Sequence, residues 1–231
     1  MNKELHIENN WRNAEMLKIG GLYFFLLAGG LWHVLGVFQT VMRISAGAVI
    51  TGLALWVAWE VWQIFADSGI RRKFAVWCSA VVLATFWIEF AGVHTGEIFG
   101  RYEYGATLQP QIGSVPVAIG FAWLVMLISS VAVAQRLLPQ KWLANLPLFV
   151  VAIGVLMVLF DAVMEPAAIR LNYWHWFGAT VPLKNYLAWF VVSAVFAGIA
   201  FRWQLFRQSL PKIAFHAYVA QFLYFAIVLF A

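Results

Sequence analysis

"LPLFVVAIGVLMVLFDAVMEPAA", Leu146 to Ala168, decides the fold class. A helix needs about 20 largely apolar residues to cross the hydrocarbon of a bilayer, and this run carries no charge from Leu146 to Phe160. Its apolar residues are continuous rather than alternating, which argues against a membrane strand. Comparable runs lie at roughly 19–42, 44–66, 74–93, 115–135, 185–203 and 213–231. The reading is an all-α polytopic membrane protein of about seven transmembrane helices, forming one integral membrane domain over residues 1–231.

Composition agrees with lipid as the solvent. The chain is 64% hydrophobic and 11% charged, with a mean hydropathy of +0.82, whereas a soluble domain carries about 25% charged residues. The net charge of +5 comes from small basic groups strung between apolar runs. Those are loop anchors, so nucleic acid is not an expected partner. Cys78 is the single cysteine and permits no internal disulfide. Residues 1–18 form a short polar lead-in without the small-residue cleavage site of a signal peptide.

Lys3, Arg12, Lys18, Arg71, Arg72, Lys73, Arg136, Lys141, Arg202, Arg207 and Lys212 fall on one side of the expected topology, and only Arg43, Arg101, Arg170 and Lys184 on the other. The positive-inside bias then predicts a cytoplasmic N-terminus and an outside C-terminus. Two long polar connections, around 94–114 and 169–184, share the far side. Irregular backbone at membrane depth survives only when buried in protein or facing water, so both are candidates for a re-entrant or capping loop.

Charged groups within spans cost at least ~2.5 kcal/mol each on insertion scales and need a reason. Four acids fall there: Glu60, Glu89, Asp161 and Glu165. Asp161 and Glu165 are one helical turn apart and share a face. Two carboxyls so placed in low dielectric resist ionising together, which makes one a candidate general acid and its neighbour a candidate base. Pro166 disturbs the helix beside them. The alternative is that each acid merely fastens helices by pairing with Arg, His or Tyr, and Glu60 is the most ambiguous of the four. "EFAGVHTGEIFGRYEYG", Glu89 to Gly105, adds His94, Glu97, Arg101, Tyr102 and Tyr104 among four glycines. Those glycines permit either close helix packing or tight turns beside a ligand. His33 stands alone in a span and reads as a packing residue or a ligand. No HExxH, CxxC pair, Walker or GxGxxG pattern is present. An acid set of Glu60, Glu89, Asp161 and Glu165 with a histidine leaves a hard metal as an alternative. A retinal Schiff base is excluded, because the last run has Lys212 only at its edge.

Four blocks in order carry a resemblance: "GVHTGEIFGRYEY", "GSVPVAIGFAW", "DAVMEPAA", and "NYWHW" with "VPLKNYLAW". From Glu89 to Trp189 the chain resembles the carotenoid biosynthesis membrane family, which includes the carotenoid 1,2-hydratases (gamma-carotene 1'-hydroxylases and bisanhydrobacterioruberin hydratases). The family's acid, glycine and tyrosine run is matched by Glu89, Gly92, Thr95, Gly96, Phe99, Gly100, Tyr102 and Tyr104. Its Val-Pro element is matched by Val115, Pro116 and Trp123, its Asp-x3-Glu-Pro by Asp161, Glu165 and Pro166, and its late Pro-x2-Asn by Pro182, Asn185 and Trp189.

The resemblance implies cofactor-independent addition of water to the terminal double bond of an acyclic carotenoid end, in a bacterial or archaeal cytoplasmic membrane. Protonation of the alkene gives a tertiary cation, which water captures. Asp161 or Glu165 would donate the proton, with Glu89 or His94 among the catalytic candidates. Glu60, Glu97, Tyr102, Tyr104, Trp123, Trp174, Trp176, Asn185 and Trp189 are the candidate substrate-binding residues. No metal or other cofactor is called for. The expected partners are a carotenoid or other long polyene isoprenoid, membrane lipid and other carotenoid-pathway enzymes. The rival readings are a carotenoid- or quinone-binding subunit, a proton-coupled transporter, and an end-group cyclase or isomerase.

Overall fold

The computed structural model describes residues 2–178 and 180–230, with side chains from residue 13 onward. The side chains of Lys3 and Arg12 in the polar lead-in, and Ala231 at the end of the last expected run, lie outside the described residues. The long helices are α1 (Asn2–Val34), α2 (Gln39–Ile64), α3 (Ser68–Thr95), α4 (Ala118–Leu137), α6 (Leu146–Arg170), α7 (Leu183–Arg202) and α8 (Lys212–Phe230). Each is long and apolar enough to cross a membrane, α1 from Asn13 onward, so the chain is an all-α integral membrane protein. One short helix, α5 (Gln140–Leu143), and four short strands, β1 (Tyr102–Tyr104), β2 (Gln111–Ile112), β3 (Val115–Pro116) and β4 (Trp174–Trp176), complete the described elements.

Helix α4 is the axis of the bundle. Its most apolar window is 83% buried, against at most 39% for any other span. It packs against α2, α3, α6 and α8, while α7 lies along α6 and α1 along α8. The caps follow from sequence. Asp67 accepts a hydrogen bond from the Ile70 amide (2.7 Å) at the start of α3, and Asn145 from the Leu148 amide (3.1 Å) at the start of α6.

The first two spans break earlier than expected. Sequence reading ended the first at residue 42, ahead of Arg43, but α1 stops at Val34 and Arg43 sits inside α2. Gly36 takes φ +68°, and the Gly36 and Val37 amides donate back to His33 and Trp32 carbonyls (3.2 and 3.0 Å). That is the Schellman closure, which glycine adopts without steric penalty.

The two polar connections expected to share one side do meet. Strand β1 pairs antiparallel with β4, in the register Tyr102 to Trp176, Glu103 to His175 and Tyr104 to Trp174. Because side chains alternate along a strand, Tyr102, Tyr104, Trp174 and Trp176 turn towards the bundle. Glu103 and His175 turn outward and pair at 3.0 Å. A hairpin, β2 with β3, turns through Gly113 and Ser114, both at positive φ as a type I′ turn requires. It leads directly into α4. The glycines of the Glu89–Gly105 stretch make room for neighbouring protein atoms. A Cβ on Gly105 would overlap the Asn172 carbonyl, and one on Gly92 would meet the Phe99 ring.

Candidate functional site

Each acid of the site is placed by its helix and satisfied by a loop. Glu89 is near the end of α3, and Asp161 and Glu165 are near the end of α6. All three are buried, at 4%, 0% and 2% exposure. Since α3 and α6 both finish at the end of the bundle where β1 and β4 pair, the inward-facing aromatic residues of the ribbon reach the acids. Trp174 and Trp176 each donate an indole N–H to Glu165 Oε2 at 2.9 Å. Tyr102 donates its hydroxyl to Glu89 Oε2, and Tyr104 donates to the same atom at 2.9 Å. Trp123, one turn into α4, donates to Glu89 Oε1 at 2.9 Å. Its ring stacks on Trp189 of α7 with centroids 4.1 Å apart.

Asn185, at the start of α7 and one turn before Trp189, ties the α6 pair together. Its Nδ2 donates to Asp161 Oδ2 at 2.7 Å and to Glu165 Oε1 at 3.3 Å. Donors are unevenly shared. Among the described residues Glu89 and Glu165 each receive three, whereas Asp161 receives one, and its Oδ1 is buried without a partner. A fully ionised carboxylate offers about four acceptor sites, so Asp161 is the member least supported as an anion.

A small cavity of about 20 Å³ lies among these groups, lined by Glu89, Tyr102, Tyr104, Glu165, Trp174, Trp176, Asn185, Trp189, Phe99 and Ile119. That volume holds a single water, and the polar atoms around it suit one. Among the described residues no lysine, arginine or histidine lines it. The acids are therefore held by neutral donors and not tied off by cations. Burial, then the nearby Glu89 charge, pushes the pKa of Tyr102 and of Tyr104 well above the ordinary 10.0. Both hydroxyls stay protonated and remain donors at neutral pH.

Of the candidate catalytic and substrate-binding residues, Glu89, Tyr102, Tyr104, Trp123, Asp161, Glu165, Trp174, Trp176, Asn185 and Trp189 come together here. Three do not. His94 is exposed, with its Nδ1 2.8 Å from the Phe90 carbonyl and its ring stacked on Phe90. Glu97 is on the surface and pairs with Lys184 at 3.8 Å. Glu60 lies near the opposite end of α2, bonded to Lys18 at 2.6 Å and to Trp56 at 3.2 Å. It is one acid for which the helix-fastening reading holds. Among the described residues no three His, Cys, Asp or Glu side chains are grouped so as to hold a metal ion. Phe99, matched to the family's motif, and Ile119 were not among the candidate site residues. They are apolar, and nothing in an apolar sequence marks two such side chains as cavity wall.

Residues 30–231 match the family model described as carotenoid biosynthesis protein. A curated relative, bisanhydrobacterioruberin hydratase of Haloarcula japonica, is 25% identical over 132 residues, covering 54% of this chain and 44% of that protein. The match thus spans less than half of the relative's length. No solved structure matches the chain.

Proposed function

The chain belongs to the carotenoid biosynthesis protein family, and from that premise we propose that it adds water to the terminal carbon–carbon double bond of an acyclic carotenoid, using its own side chains. The observation that carries this reading is the water-sized cavity onto which Glu89 and Glu165 both open, walled by aromatic rings and free of cations. In the proposed reaction, Asp161 and Glu165 share one proton, because two like charges a helical turn apart in an apolar interior resist ionising together. Glu165 delivers it, since Glu165 and not Asp161 lines the cavity. The proton adds to the less substituted alkene carbon, using the π electrons, and leaves a tertiary cation at the other.

The indole and phenol faces of Trp174, Trp176, Tyr102 and Tyr104 stabilise that cation. A desolvated cation over an aromatic ring gains about 2 kcal/mol. Water held against Glu89 forms the new C–O bond, and its surplus proton passes to Glu89. Return of that proton across the shared cavity to Glu165 closes the cycle, with one water consumed and a tertiary alcohol formed. General acid catalysis of this kind contributes about 10²–10⁴-fold. A cyclase or isomerase would share the first step but would need water excluded at the cation, and the cavity instead holds room for it. Asn185, Trp123 and Trp189 act here by positioning the acids and the wall.

The same reading treats residues 1–231 as one domain. Its N-terminus is cytoplasmic on the Lys and Arg distribution, so the cavity lies towards the outer face of a bacterial or archaeal membrane. The test is expression with an acyclic carotenoid, with product analysis by mass. A product heavier by one water supports hydration. A product of unchanged mass and altered retention points to cyclisation or isomerisation, and pigment retained through purification without product points to a binding subunit.

A further inference from the structure

Helix α1 lies along α8 and α2 along α4, so the neighbouring α1 and α2 touch little. The wedge between them is a groove of about 500 Å³, walled by apolar residues such as Phe25, Val41, Val49 and Leu53, with Tyr224 and Phe225 of α8 contributing. Phe25 and Val41 are more than half exposed there, as groups facing lipid can be. At the end of the bundle the groove shares His33 with a second cavity of about 520 Å³. This one is half polar. Its lining includes Gln39, Thr40, Arg43, Thr107, Arg170 and Asn172, and among the described residues no carboxylate. Arg170 Nη1 donates to the Val228 carbonyl in the last turn of α8 at 3.1 Å. Arg43 has no ion pair among the described residues.

An apolar trough that adjoins, at His33, a basin with two guanidinium groups and no acid among the described residues has the polarity of an amphiphile with an anionic head. We propose that one phospholipid with an anionic headgroup occupies this site, its phosphate between Arg43 and Arg170 and an acyl chain in the α1–α2 groove. Guanidinium matches phosphate geometry with two parallel hydrogen bonds, and the groove offers the chain apolar contact. A hydrocarbon polyene would leave both arginines without an anionic partner among the described residues. A choline headgroup would bring a cation into a basin that holds no carboxylate. The site is separate from the acid cavity and stands whether or not hydration is the reaction.

The test is lipid retention by the full chain. Protein is reconstituted in vesicles of phosphatidylcholine with phosphatidylglycerol, released in detergent and weighed by native mass spectrometry. One phosphatidylglycerol per chain is expected to survive in preference to phosphatidylcholine. Arg43 is exposed, so Arg43→Gln should melt as the wild type does, and loss of a charge-assisted contact should weaken retention about tenfold. Val49→Trp should expel the lipid by filling the groove while leaving both arginines in place. Equal retention of the two lipids, or unchanged retention by Arg43→Gln, overturns the proposal. Displacement of the lipid by inorganic phosphate would mean a free-anion site, and displacement by an acyclic carotenoid irrespective of Arg43 would mean a polyene groove. Either outcome also overturns it.

Discussion

Replacing Glu165 by glutamine removes the proton that the proposed reaction needs and almost nothing else. The side chains have the same shape, so the space between α6, α7 and the β1–β4 ribbon stays filled. The glutamine carbonyl can accept both indole N–H groups that now reach Glu165 Oε2 at 2.9 Å. Its amide nitrogen then faces Asn185 Nδ2, a donor against a donor, in place of the weaker 3.3 Å bond. Losing one bond of that kind costs about 0.5–1.5 kcal/mol, within what a folded domain tolerates. The chemical step loses its acid, an effect of about 10²-fold or more, or at least ~2.7 kcal/mol of barrier. Turnover should therefore fall at least a hundredfold while the melting temperature in detergent moves little. The assay is the initial rate of formation of the product heavier by one water, in vesicles loaded with an acyclic carotenoid. In D₂O the wild type should place one deuterium on the protonated carbon. Asp161→Asn removes the group that shares the proton and should slow the reaction as well. A Glu165→Gln protein turning over within threefold of wild type would refute the assignment of Glu165 as donor.

Tyr102→Phe takes one of three donors from Glu89, a loss of about 1.5–3 kcal/mol for a bond to a charged group. The product-forming rate should drop roughly 10- to 100-fold, and the double change with Tyr104→Phe should exceed the product of the two single effects, since Oε2 then has no donor. Because burial raises both tyrosines above 10.0, the folded state holds these protons more tightly than the unfolded chain. The resulting stability is present in full below pH 10.0 and is lost as pH rises through the folded-state values, so alkaline ultraviolet titration should show no tyrosinate from this pair near pH 10. His94→Ala should leave the hydration rate unchanged, as its ring faces away from the cavity; a large loss would return His94 to the mechanism. Gly105→Ala places a Cβ against the Asn172 carbonyl, backbone on backbone, and should abolish activity through loss of the ribbon, seen as a lowered melting temperature.

The helices were legible because lipid forces a long, continuous apolar run, and no local propensity competes with that demand. The break between α1 and α2 was misplaced because Arg43 looked like the natural edge of a span, whereas Gly36 carries the turn. Asp161 and Glu165 could be paired from their spacing alone. That Glu89 joins them could not be read this way, because it depends on how α3 lies against α4 and α7. The ribbon was hidden for the same reason. Three-residue strands such as "YEY" and "WHW" give too short an alternation to identify, and their partners are some seventy residues apart. His94 and Glu97 are near Glu89 in sequence but stand apart from the buried acids, because α3 ends at its left-handed cap Gly96, where φ is +69°.

The β1–β4 pairing also bears on how the protein is made. Helix α6 is the most apolar of the spans although it carries two of the acids, so it can enter the bilayer unaided as it leaves the ribosome. The groups that later satisfy those acids, Trp174, Trp176 and Asn185, are all further along the chain. The nascent protein thus passes through a stage with its acids embedded and unpartnered, and the candidate site is completed only when α7 arrives.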